Sequence, residues 1–186
     1  MAILKIARMG HPVLLQRAAE IPDPTAPEIR RLAQDMIETM EDAGGAGLAA
    51  PQVHVPLRLF VFRVAPHRTI EGDAAPVATT VVVNPVLERL DEEEVLSWEG
   101  CLSIPGMRGA VPRWARLRYR GQGLDGAPIT AEAGGFHAIV VQHEYDHLDG
   151  VLYPMRMRDH RLFGFNEELT RAAPPPAAPS TQDTAG

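Results

Sequence analysis

The 186-residue sequence has one cysteine, Cys101, so no disulfide can form within the chain. A lone thiol of this kind has three readings: a small buried hydrophobe, a nucleophile or a metal ligand. No stretch approaches the ~20 consecutive apolar residues of a membrane span. The opening MAILKIARMG lacks an apolar core followed by a small-residue cleavage site. It therefore carries no sign of a signal peptide, and the cytoplasm is the expected location. A basic stripe is missing as well. Eighteen Lys and Arg against 24 Asp and Glu give a net charge of −6, which argues against a nucleic-acid binder. There are no internal repeats. The acidic run Asp91-Glu92-Glu93-Glu94 reads as a solvated loop.

The residues present suffice for one core, since 45% of the chain is hydrophobic, and one domain is the default expectation at this length. Ile21-Pro22-Asp23-Pro24 reads as a turn. Thr25 and Glu28 follow with capping-box spacing and Pro27 inside the first turn. Ile29, Leu32, Met36, Ile37 and Met40 then recur at helical spacing until Gly44-Gly45. Leu57 to Val64, Thr79 to Val83 and Ala115 to Arg120 are rich in β-branched and aromatic residues between turn formers, as strands are. The chain ends in AAPPPAAPSTQDTAG, with no large apolar side chain, so residues 172–186 are expected to form a Pro/Ala-rich disordered tail after a single domain over 1–171. The fold class this predicts is α+β.

The segment with the sharpest chemical content is QHEYDHLDG, Gln142 to Gly150. On a helix, His143 and His147 lie one turn apart on one face and can converge on a single ion, while Glu144 is placed to take a proton from a water held there. Gly134-Gly135 break the chain before this helix, Phe136, Ile139 and Val140 continue its periodicity, and Gly150 suits the position just past its end. Two further segments stand out. EGCLSIPG carries Cys101, and GAGLAAPQ combines small residues that permit close backbone approach with the hydrogen-bonding amide of Gln52.

Taken in order, GAGLAAPQ, EGCLS and QHEYDH resemble the motifs of the peptide deformylase family, and the likeness extends over roughly residues 3 to 165, including Ile3-Leu4, Asn84-Pro85 and Val111 to Arg113. The resemblance implies mostly antiparallel strands around a central helix carrying the His-Glu-x-x-His motif. It implies one divalent cation, commonly Fe²⁺ (Zn²⁺, Ni²⁺ or Co²⁺ being possible), held by Cys101, His143 and His147. A thiolate and two neutral imidazoles leave a fourth tetrahedral position open, as a catalytic site needs. By the same resemblance Glu144 is the general base, and the Gln52 side chain and Leu102 backbone N–H stabilise an oxyanion. Gly45, Ala46, Gly47, Ile139 and Val140 contact substrate, Glu99 pairs with Arg113 beside the cysteine loop, and Asp146 orients a histidine.

The implied reaction removes formyl from the formyl-methionine of newly made polypeptides and releases formate. Two other readings are a zinc metallopeptidase of the His-Glu-x-x-His type and a non-catalytic formyl-peptide binder. The EGCLS cysteine and Gln52 argue against the first, and intact Glu144 and Gln52 against the second. Ala46 stands where the family usually has a larger aliphatic residue. The basic C-terminal helix used by some members to dock on the ribosome is not there, because from Val151 onward four Arg face four acidic residues. No nucleic-acid motif is found. Deletion of residues 172–186 should leave activity and melting temperature essentially unchanged; a clear fall in either would show that this segment packs on the domain.

Overall fold

The computed structural model describes residues 2–70, 72–73 and 75–171. The expected tail, 172–186, lies outside them. Along the chain come α1 (Pro27–Asp42), β1 (Gly47–Ala49), β2 (Leu59–Val64), β3 (Val77–Arg89), β4 (Glu94–Cys101) and β5 (Ile104–Trp114). These are followed by β6 (Arg116–Gln122), β7 (Pro128–Gly134), α2 (Gly135–Leu148), β8 (Phe163–Phe165) and α3 (Asn166–Arg171). The strands form a five-stranded sheet in the order β1-β2-β3-β6-β7 and a three-stranded sheet in the order β4-β5-β8. Every ladder between these strands is antiparallel. The class is mixed α and β with mostly antiparallel strands.

Strand β2 shows why the layers stack as they do. Its side chains alternate faces, and both faces are buried. Phe60 and Phe62 point into a cluster with Val82, Leu117, Tyr119 and, from α2, Val141 and Leu148. Leu59 and Val61 point the other way, into a cluster with Ile29, Ala33, Met36 and Met40 of α1. Each fully buried Val, Leu, Phe or Met among these contributes about 1.5–3 kcal/mol. A third cluster joins Val13 and Leu14 to Ile104 and Val111 of β5 and to Leu152 and Tyr153 beyond α2.

Two local expectations are corrected. The capping box does not form. Helix α1 starts at Pro27 behind Ala26, and Thr25 Oγ1 instead donates to Asp23 Oδ1 at 2.7 Å, because the preceding turn captures the hydroxyl. The strand expected to end at Val83 runs on to Arg89, absorbing Asn84-Pro85 as a register shift between Val83 and Val86. Proline cannot donate to the ladder, and Asn84 takes φ 49° to carry the chain past it.

Asn84 makes use of that conformation. Its side chain accepts from Ile21 N–H and donates to Ile21 C=O, both at 2.9 Å, pinning the N-terminal segment to the sheet. Asn84→Ala loses both bonds and puts at φ 49° a residue that tolerates the left-handed region less readily than asparagine. The expected cost is about 2–3 kcal/mol of unfolding free energy, read by denaturant titration.

Candidate metal centre and active site

Helix α2 is the scaffold of the site, and it is buried around most of its circumference. Ten of its fourteen residues are buried, among them His143, Glu144, Asp146 and His147. Charges from distant segments hold its two ends. The Asp73 carboxylate accepts from Phe136 N–H (3.1 Å) and His137 N–H (2.9 Å) at the N-terminus. At the C-terminus, buried Arg58 donates to Leu148 C=O (3.3 Å) and to Asp149 (2.7 Å). A negative group at the start and a positive group at the end both complement the helix dipole. Gly135 takes φ 54° as the first helical residue, and a Cβ there would lie 2.6 Å from Asp73 N. The glycine is therefore part of the cap.

The imidazoles of His143 and His147 face one another edge to face, with centroids 5.0 Å apart. Cys101, at the register break that ends β4, brings Sγ to 3.3 Å from His147 Nε2. One donor atom from each of Cys101, His143 and His147 lies within 4.8 Å of the others.

Glu99, two residues earlier on β4, accepts from Arg113 through Nε (2.6 Å) and Nη2 (2.9 Å) and contacts His143 Nδ1 at 2.8 Å. Burial acts to raise the Glu99 pKa, but the Arg113 and His143 hydrogen bonds outweigh it and bring the carboxyl down to about 2. Glu99 therefore stays ionised as an acceptor, which puts a proton on His143 Nδ1 and leaves Nε2 free for an ion. With side-chain exposure of 4% each, Glu99 and Arg113 are a buried pair and not a surface one.

The two other motif segments meet at the same point. Gln52 Oε1 accepts from Ala49 N–H at 2.8 Å, which orients Nε2 toward Ser103 Oγ (3.2 Å) and Cys101 Sγ (3.5 Å). Residues 7–9 tie these loops together, as Ala7 N–H donates to Gln52 C=O and Met9 N–H to Ser103 C=O. Glu144 is buried with Oε2 unpaired among the described residues. Burial is the main cause that pushes its carboxyl up to about 7, opposed by His143 and Arg113. A Cβ on Gly47 would lie 2.3 Å from Glu144 Oε1, so only glycine lets β1 pass here.

These groups open onto a cavity of about 460 Å³ lined by Ala46, Gly47, Gln52, Leu102, Phe136, Ile139 and Val140, with Glu99, Cys101, His143 and Glu144 also reaching it. Of the anticipated substrate-contacting residues, Gly45 is not in the lining; it sits behind the wall, where an added Cβ would meet the Leu102 side chain at 3.0 Å. Asp146 requires a correction. Its carboxylate accepts from Arg113 (2.6 Å) and Arg156 (2.7 Å) and bonds no imidazole among the described residues. Glu99 takes the imidazole-acceptor place because β4, not α2 itself, faces the His143 ring. Sequence reasoning gave no role to Ser103, although it lies inside EGCLS, nor to Tyr153, which stacks on His143 at 6.1 Å and 26°.

A thiol, an imidazole, a buried carboxyl and an oriented amide at one cavity, with the second imidazole, His147, beside the thiol just outside the lining, have the donor chemistry of a hydrolytic metal centre. The residues fit a divalent cation. Burial opposes a charge on His143, yet Cys101 and Glu99 raise its pKa well above the ordinary value, so the site draws positive charge inward. A polypeptide deformylase family model matches residues 3–162, and the chain belongs to that family. It is 52% identical over 167 residues to peptide deformylase 1 of Nitrosomonas europaea, covering 90% of this chain and 94% of that protein. Identity to peptide deformylase 1 of Bordetella pertussis is 50% over 164 residues, covering 88% and 93%. Among solved structures, the Ehrlichia chaffeensis peptide deformylase in complex with actinonin superposes with a TM-score of 0.80 at 32% identity, covering 87% of this chain and 92% of that one. The Met-Ala-Ser-bound class I type b enzyme of Acinetobacter baumannii gives 0.76 at 32% identity, covering 84% and 99%.

Removing Arg113 would strand the buried carboxylate of Glu99 and leave Asp146 with the half-exposed Arg156 alone. Arg113→Met should therefore cost about 3–5 kcal/mol of stability, measured by chemical denaturation. A loss below about 1 kcal/mol, the range of exposed pairs, would mean that the pair is solvated in solution.

Proposed function

We propose that this chain removes the N-terminal formyl group from the formyl-methionine of newly made polypeptides and releases formate, with residues 1–171 as the catalytic domain around α2. The observation that carries the reading is the cluster of Cys101, His143 and His147 within 4.8 Å, two of whose members, Cys101 and His143, line one cavity with Glu144 and Gln52. The Met-Ala-Ser ligand of the Acinetobacter relative is the product end of such a substrate.

Cys101 and the Nε2 atoms of His143 and His147 would hold the cation. We take it to be Fe²⁺, with Zn²⁺, Ni²⁺ and Co²⁺ accepted by the same thiolate and imidazole donors. When bound, the cation supplies polarisation of the formyl carbonyl and acidification of water. Glu144, kept near neutral pKa by burial, accepts the proton of the attacking water on its unpaired oxygen. Negative charge then grows on the former carbonyl oxygen, and the Gln52 amide and the Leu102 backbone N–H donate to it. Glu144 returns the proton to the departing amine nitrogen as the C–N bond breaks, leaving formate and a free N-terminus. Ile139 and Val140 offer the methionine side chain an apolar wall, and Ala46 leaves the facing wall short. The described C-terminal helix α3 carries Glu167 and Glu168 as well as Arg171, so docking on the ribosome through a basic helix is not part of this proposal.

Glu144→Gln keeps the shape of the base and removes its proton affinity. Formate release from formyl-Met-Ala-Ser, assayed without oxygen and with Fe²⁺, should drop by about 10²–10⁴-fold. Bound metal per chain should stay at the wild-type level, because the three ligands are untouched. Full turnover in the variant would remove Glu144 from the mechanism. Absence of formate release by the wild-type chain, or cleavage of internal amides instead, would reject the function itself.

A further inference from the structure

The buried charges beside His143 do not balance without a side chain from outside the three motifs. Glu99 and Asp146 are two carboxylates that share one buried guanidinium, Arg113. With His143 counted neutral, as an ion ligand is, that leaves the cluster one negative charge in excess. The missing cation is Arg156, in the turn after α2: its Nη2 donates to Asp146 Oδ1 at 2.7 Å and its Nε to Asp146 Oδ2 at 3.2 Å. The links then run without a break from Arg156 to Asp146, from Asp146 to Arg113 (2.6 Å), from Arg113 to Glu99 (2.6 and 2.9 Å), and from Glu99 to His143 Nδ1 (2.8 Å).

The far end of this chain of contacts is open to solvent. Arg156 keeps about half of its side-chain surface exposed, at 49%. With Arg113, Asp146 and Arg158 it lines a cleft of about 460 Å³ that shares no lining residue with the substrate cavity. Glu99 and His143 face the cavity, while Arg113 and Asp146 face the cleft.

We propose that Arg156 is a positioning residue for the metal site, acting on His143 from the side opposite the substrate. This rests on the reading of Cys101, His143 and His147 as the cation ligands. The physical argument concerns how one guanidinium divides between two carboxylates. With Arg156 in place, Asp146 has two donors, and Arg113 can give Glu99 a two-point contact. Without it, Asp146 depends on Arg113 alone and draws the guanidinium toward itself. Glu99 then loses the pair of N–H donors that fix its plane, and the acceptor of the His143 Nδ1–H loosens. Partners one step beyond a ligand typically change metal affinity by about 10–100-fold. Arg156 stands three steps further out, so the lower end, about tenfold, is expected.

The test compares Co²⁺ affinity of the full chain, by chelator competition, across four proteins. Arg156→Met should bind Co²⁺ about tenfold more weakly than wild type. Arg156→Lys, which restores the charge but not the two-point contact, should fall between them. Arg158→Met is the control. Arg158 lines the same cleft but pairs with Glu94 at 2.8 Å and not with this network, so its affinity should match wild type. The KM for formyl-Met-Ala-Ser in the Co²⁺-loaded Arg156→Met enzyme should not move, since the residue lies outside the substrate cavity. Wild-type affinity in Arg156→Met, or equal losses in the Met and Lys variants, would overturn the inference. So would an Arg158→Met loss as large as that of Arg156→Met. A wild-type chain that took up no Co²⁺ would sink the metal reading itself, a failure distinct from these.

Discussion

The contact between Glu99 and Arg113 organises everything around it. Glu99 belongs to β4, Arg113 to β5 and the imidazole it reaches to α2, so one carboxylate fixes the small sheet against the helix. Burying these charges is costly, and the cost is offset only because each oxygen of Glu99 and several donors of Arg113 are engaged. The pair is poor material for stability alone. Its value lies in orientation: a β4 strand that slid by one residue would turn Glu99 to solvent and strand Arg113 beside Asp146. The same slip would carry Cys101 away from His147, which ties the register of a three-stranded sheet to the integrity of the ligand set.

A second constraint runs along α2. A largely buried helix can be held in place by packing, but packing alone leaves it free to slide along its axis. Asp73 and Arg58 remove that freedom by fixing the first and last turns. Both flank β2, one directly before it and one in the connection after it, so the strand with the most thoroughly buried faces also sets the position of the helix. Core and site share one frame.

The legible parts of the site were those written in short segments. His143, Glu144 and His147 follow from helical spacing within five residues, and Gln52 and Cys101 each lie in a compact motif that resembles a family pattern. The arrangement between segments was not legible. Asp73 caps a helix that starts more than sixty residues later, and Arg156 completes a charge cluster from outside every motif. Strand β4 was missed for a physical reason: its polarity is inverted. Leu96 and Trp98 stand 60% and 43% exposed while Glu99 is 5% exposed, so an alternation test sees no core face. Asp146 was assigned to an imidazole because it lies beside one in sequence, whereas the ring is served from across the interface by β4.

Placing His143 and His147 on the same helix as Ile139 and Val140 of the cavity lining has a consequence for how this enzyme can change. Ile139 and Val140 stand one turn before His143 and about 1.5 Å of rise per residue separates them along the axis. That distance is set by backbone geometry and cannot be tuned. Under the proposed function, the helix therefore works as a ruler, setting the distance from the ion to the side-chain pocket by its backbone rise. A change in the reach of that pocket then comes from the size of the side chains on the helix face or from the opposing surface, where Ala46 and Leu102 lie on connections and Met107 on β5.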